Sequence, residues 1–221
     1  MAHTETALSV IQILGWLGFG LMCITLWRHL PMARLREDKK VQHLVFGTAA
    51  SVFVLWLFRA GIHPGLDVHF LWLTALTLIL GLRFALLSAL IALFGVTLIG
   101  KESWAMFGIN SLLGVALPIL CSYFVYSLSF HKLPRHLMVY VFVCAFLPGA
   151  LMMALKMFAL GGYYFVDGAY RWQVIVDNYL QLIPLMLFPE GMLNGMTMTL
   201  LIIYKPTWVY TFYDKYYLQD K

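Results

Sequence analysis

The chain has 221 residues, of which 62% are hydrophobic and 11% charged. An ordinary soluble domain carries about 25% charged residues, so an aqueous surface could not be covered and the solvent must be lipid. A net charge of +5 would suggest nucleic acid in a soluble protein, but here its distribution along the loops sets topology, and no nucleic-acid partner is expected.

A membrane-spanning helix needs about 20 apolar residues. Apolar runs follow one another from Ala7 to Trp27, Val41 to Ala60, Phe70 to Leu82, Phe84 to Ile99, Phe107 to Phe130, Leu137 to Leu160 and Leu180 to Tyr204. The third and fourth are short. They read either as an antiparallel pair turning at Gly81-Leu82-Arg83 or as one long kinked helix. The expected fold is therefore all-α, a polytopic membrane helical bundle of about seven transmembrane helices. Residues 1–221 form a single integral membrane domain, with a short N-terminal tail (1–6) and an aromatic C-terminal tail (205–221). The first fourteen residues lack a basic start and a small-residue cleavage site, so the N-terminus is expected to be retained, apart from the initiator Met. Cys23, Cys121 and Cys144 lie inside apolar runs and read as packing residues.

Charge orients the bundle. Arg28 to Lys40 and His131 to His136 are basic connections and read as cytoplasmic. With seven spans, eleven of the fifteen Lys and Arg residues fall inside and four outside, the latter being Arg59, Lys101, Lys156 and Arg171. The N-terminus is then outside and the C-terminus inside. The aromatic tail, with Trp208, Tyr210, Phe212 and Tyr213, is expected to lie along the inner headgroups.

The same topology sorts the histidines, because the ligands of one site must share a side. His29, His43, His131 and His136 fall inside, among basic residues or at a helix end, and read as interfacial. His3, His63 and His69 fall outside. After removal of Met1, the Ala2 amine, the next backbone amide and the His3 imidazole could chelate a metal, and a second imidazole would close a plane of four nitrogens. That geometry suits Ni(II) and Cu(II); the plain alternative is an ordinary terminal histidine. His63 and His69 bracket Pro64-Gly65 and Asp67. Asp67 could orient an imidazole or simply cap a helix. Glu190 lies in the last run after Pro189. An ionisable group at mid-membrane should face the bundle interior, where it is either functional or protonated and hydrogen-bonded to a neighbouring helix. Asn110 reads as a hydrogen-bonding contact between helices. The methionines around Met153 and Met196 read as apolar filler more readily than as a Cu(I) path. No nucleophile elbow, zinc-protease helix or phosphate loop occurs.

Three stretches carry a family resemblance: Asp67-Val68-His69-Phe70-Leu71 after the Pro-Gly loop, Gly108-Ile109-Asn110, and Glu190-Gly191-Met192-Leu193-Asn194-Gly195. Together they resemble the CbiM/NikM family, the substrate-binding membrane components of energy-coupling-factor cobalt and nickel transporters. The resemblance runs from about Val41 to Tyr204 and implies a multi-pass protein of the bacterial inner membrane. It also implies a coupling transmembrane protein and ATPase subunits on other chains. The ligand would be a divalent transition metal, nickel or cobalt first and copper or zinc next, held by the terminal amine, the following amide, His3 and His69. Ala2-His3-Thr4 departs from the family's Met-His start, and His63 is an added donor. The runner-up is a metal-dependent intramembrane enzyme or sensor using His63, His69 and Glu190; a third reading is an assembly subunit without a ligand.

Overall fold

The computed structural model describes residues 8–134 and 136–212. The regular structure among them is helical, apart from one isolated antiparallel bridge between Ala60 and Val68. Eight helices organise the bundle: α1 (Val10–His29), α2 (Met32–Glu37), α3 (Lys39–Leu57), α4 (Leu73–Leu98), α5 (Trp104–Lys132), α6 (Leu137–Val166), α7 (Trp172–Asn178) and α8 (Ile183–Tyr204). Six stretches are long and apolar enough to cross a membrane, α7 and α8 counting together as Trp172–Tyr204.

That is one fewer than the seven expected crossings, and α4 accounts for the difference. Gly81 interrupts α4 with φ 73° and ψ 166°, a left-handed conformation that suits glycine alone. The chain reverses there. Trp56 near the end of α3 donates its indole N–H to Leu71 O, whereas Ile79 and Leu80 share a cavity with Val41 and Leu44 at its start. The arm before Gly81 is thus antiparallel to α3. After Gly81 the direction flips: Thr48 meets Ser88 at 2.9 Å, and Phe53 lies against Gly95. The two short apolar runs therefore form the antiparallel pair, with a descending arm that is half extended and half helical. The helical part of the arm before Gly81 is buried throughout, whereas the arm after it keeps one exposed face with Ile91, Phe94 and Leu98.

The descending arm leaves backbone groups without helical partners at both ends, and in lipid each must be satisfied. At its start, Leu71 N and Trp72 N each donate to a carboxylate oxygen of Glu190 at 2.8 Å, and Ala75 N donates to Asn194 Oδ1. At Gly81 the freed carbonyls are met by the C-terminal segment. Tyr210 N donates to Ile79 O at 2.9 Å, while Thr211 N and Oγ1 both donate to Leu78 O. Val209, Thr211 and Phe212 are buried in consequence. The expected tail along the headgroups is thus pinned at its start: Val209, Thr211 and Phe212 pack into the bundle while Trp208 and Tyr210 stay exposed, and residues 213–221 lie outside the described part.

Both α5 and α6 open with a wider helical turn, over Asn110–Ala116 and Tyr140–Phe146. Pro118 and Pro148 follow each turn. A proline ring collides with the carbonyl four residues earlier, and one extra residue per turn relieves that collision. α1 is the peripheral helix, with Gly15 its one fully buried residue. It meets α5 where Gly15 faces Gly108, and a Cβ at Gly108 would lie 2.6 Å from the Gly15 backbone.

Candidate metal site

His69 lies just past the Ala60–Val68 bridge, in the extended half of the descending arm. Its ring packs against Trp56 at 5.3 Å between centroids, and its relative exposure is 6%. The Nδ1–H donates to Phe70 O at 2.9 Å, which leaves the lone pair on Nε2. Lys156 Nζ of α6 donates to that nitrogen at 2.8 Å. Burial, and next to it the Lys156 charge, hold the imidazole well below the usual histidine pKa. His69 is therefore neutral at pH 7, the form in which imidazole binds metals.

The Glu190 carboxylate, 1% exposed, fixes this loop. It fastens the main chain of Leu71 and Trp72, two and three residues beyond His69, and accepts from Asn194 Nδ2 at 2.8 Å. Trp72, at φ 56°, takes the sharp bend between loop and helix. Glu190 thus acts on the histidine through the backbone; among the described residues it makes no hydrogen bond to His69, Asp67, Glu102 or Lys156. Both of its oxygens accept from N–H donors, of the loop and of its own helix, where the expected bond ran from a protonated acid to a neighbouring helix.

Around His69 is a small polar cavity of about 20 Å³, lined by Asp67, Glu102, Asn110, Gly114 and Lys156, with Trp56 and Leu93 as apolar walls. This is roughly the room that one water or one ion requires. Its acids are organised by Arg59, which contacts Asp67 at 2.8 Å and Glu102 at 2.5 Å. Burial works against the Arg59 charge, but Glu102 and Asp67 outweigh it and raise its pKa. Asp67 therefore pairs with Arg59, a charge-assisted contact, where the sequence left open whether it would orient an imidazole or cap a helix. Asn110 Nδ2 donates to Glu102 Oε2 at 2.9 Å, so this amide joins the site's wall to the loop before α5.

Above the cavity, and sharing Gly65, Asp67 and Glu102 with it, opens a vestibule of about 650 Å³. Gln12 of α1, Tyr163 and Tyr164 of α6 and the loop around His63 line it. Gln12 donates to Tyr163 Oη at 3.2 Å. His63 stands in this vestibule against Tyr170, 5.7 Å between ring centroids, and not in the His69 cavity. Ala2 and His3 lie outside the described residues. Among the described residues no group of three or more His, Cys, Asp or Glu is arranged to hold a metal ion. The described part thus contributes one imidazole, a set of acids and a cation. Arg59, Glu102, Lys156 and Asn194 were not singled out from the sequence. Lys156 and Asn194 carried a usable signal, since each is polar inside an apolar run, but their partners are 87 and 119 residues away.

Fold and site together define a polytopic, all-helical membrane protein with a buried polar pocket opening to one end of the bundle. The family model described as "Cobalt uptake substrate-specific transmembrane region" matches residues 6–208, and the chain belongs to that family. Two solved structures share the fold, each at a TM-score of 0.71 and 19% identity. One is titled as a truncated transition metal transporter, with 94% of this chain and 99% of that chain covered. The other, titled as a transition metal transporter, covers 94% and 93%. No curated protein sequence matches the chain. The protein is a membrane-embedded component of transition-metal uptake.

Proposed function

We propose that this chain is the substrate-binding subunit of an energy-coupling-factor metal importer, taking a divalent ion, nickel or cobalt first, at the His69 end of the bundle. That end faces outward and the Arg34 end faces the cytoplasm of a bacterial inner membrane. The coupling membrane protein and the ATPase subunits are separate chains. The observation that carries the reading is a neutral, buried imidazole whose Nε2 faces a cavity lined by acids, beneath an open vestibule.

The remaining ligands come from the N-terminal tail. Gln12 is on the vestibule rim, and the seven residues before Leu8 can reach up to roughly 25 Å when extended. The Ala2 amine, the next amide and the His3 imidazole would complete a nitrogen plane with His69, the arrangement that Ni(II) and Cu(II) favour. Asp67, Glu102 and Asn110 supply negative potential and polar walls, and His63 stands where an arriving ion passes.

Calorimetry and metal analysis on the purified protein test this. Groups that merely hold a ligand in place are worth roughly 10- to 100-fold in affinity. His3→Ala, His69→Ala and a one-residue N-terminal extension should each weaken nickel and cobalt binding by at least that much. Undiminished binding in all three would sink the reading.

A further inference from the structure

Lys156 is the residue of the pocket that a site for cations does not call for. It is 8% exposed, in the interior of α6, with its stem against Gly114. Among the described residues its Nζ makes one hydrogen bond, to His69 Nε2, although an ammonium carries three donors. No carboxylate lies within ion-pair distance of it among those residues, since Asp67 and Glu102 are both engaged by Arg59. A buried amino group with a single neutral acceptor is a poorly satisfied arrangement, and one that a better partner for either group would disrupt.

Nε2 has one lone pair, because Nδ1–H is committed to Phe70 O. A metal held by imidazole sits about 2.0–2.1 Å from the nitrogen. Nζ uses the same lone pair at 2.8 Å, so metal and lysine cannot both use it. We propose that Lys156 sets the affinity threshold of this site, as a tethered competitor that any metal must displace from His69 before it binds. The proposal rests on the reading of His69 as a metal ligand.

The pocket has somewhere for the displaced group to go. Asp67 and Glu102 line the same cavity as Lys156, and each carboxylate oxygen can accept more than one hydrogen bond. Displacement sets the same penalty for every ion. Ions that bind nitrogen weakly, early in the series from manganese to copper, then fall below useful affinity at their ordinary concentrations, whereas nickel and copper stay above it. The lysine sets a threshold, and the His69 plane supplies the affinity that must exceed it.

The test is nickel and cobalt titration of the full chain in detergent, by calorimetry, for wild type, Lys156→Met, Lys156→Gln, His69→Ala and the double variant His69→Ala/Lys156→Met. Size-exclusion profiles and thermal unfolding establish that each is folded. Removing one hydrogen-bonded competitor should tighten nickel binding by roughly tenfold or more in Lys156→Met, by less in Lys156→Gln, and not at all in the double variant. The ¹⁵N resonance of His69 Nε2 should also move in metal-free Lys156→Met. Unchanged or weaker binding in both single lysine variants, with His69→Ala still defective, overturns the competitor while leaving His69 a ligand. Wild-type affinity in His69→Ala, or no metal binding by any variant, overturns the ligand reading and the competitor with it.

Discussion

The two ends of the descending arm solve one problem with different materials. Both expose backbone groups in a medium without water. Near His69 the donors of Leu71, Trp72 and Ala75 are met by side chains, Glu190 and Asn194 of α8. At Gly81 the acceptors of Leu78 and Ile79 are met mostly by main chain, from Tyr210 and Thr211. A side-chain anchor concentrates the burden on one or two residues, and it places an acid near the His69 pocket. A main-chain anchor spreads the burden over a segment and tolerates exchange of its side chains.

Substitutions should follow that contrast. Glu190→Leu removes the acceptor of two buried backbone donors, each costing about 1–3 kcal/mol when left unpaired, so a loss of about 3–5 kcal/mol is expected in thermal or denaturant unfolding. Because the loop beyond His69 is released, nickel binding should fall as well, and Glu190→Gln, which keeps an acceptor, should recover part of both. Gly81→Ala is next. It forces a side chain into a left-handed conformation, at about 1–2 kcal/mol, and its Cβ would press on the Tyr210 ring; the same unfolding measurement should register a smaller loss, with metal affinity nearly intact. The smallest effect belongs to Thr211→Val. It removes the hydroxyl bonds to Leu78 O and Tyr140 but keeps both main-chain bonds, so about 1 kcal/mol is expected. If Thr211→Val destabilises as much as Glu190→Leu, the distinction between the two anchors is wrong.

Much of this fold was legible. Apolar run lengths place the helices, and Gly81-Leu82-Arg83 marks the reversal because glycine accommodates the backbone there and arginine marks a polar end. Glu190 was legible as an interior acid with a hydrogen-bonding role, and its partners were not, because backbone N–H groups of a distant loop leave no mark in sequence. The role of Thr211 was hidden for a related reason: the tail's tyrosines and tryptophans suit an interface by composition, and Trp208 and Tyr210 are exposed, but nothing in that pattern marks Thr211 as a donor to the broken helix at Gly81. For Asp67 the sequence left an imidazole partner and a helix cap open, and it showed neither that Arg59 would take the carboxylate nor that Glu102 would share the guanidinium. Lys156 was counted among the charges near the outer side although it lies inside the Leu137 to Leu160 run, and its contact with His69 left no mark because the two are 87 residues apart.

The closure at Gly81 also bears on the order in which the molecule can be completed. Leu78 and Thr211 are 133 residues apart, and a ribosome delivers the N-terminal partner long before the C-terminal one. Until Tyr210 and Thr211 emerge, the third crossing holds open carbonyls in the membrane and needs a temporary partner, either water or the insertion machinery. The last stretch described here thus serves as a completion mark: chains cut short before Val209 would carry every long helix and still lack the means to seal the arm that bears His69.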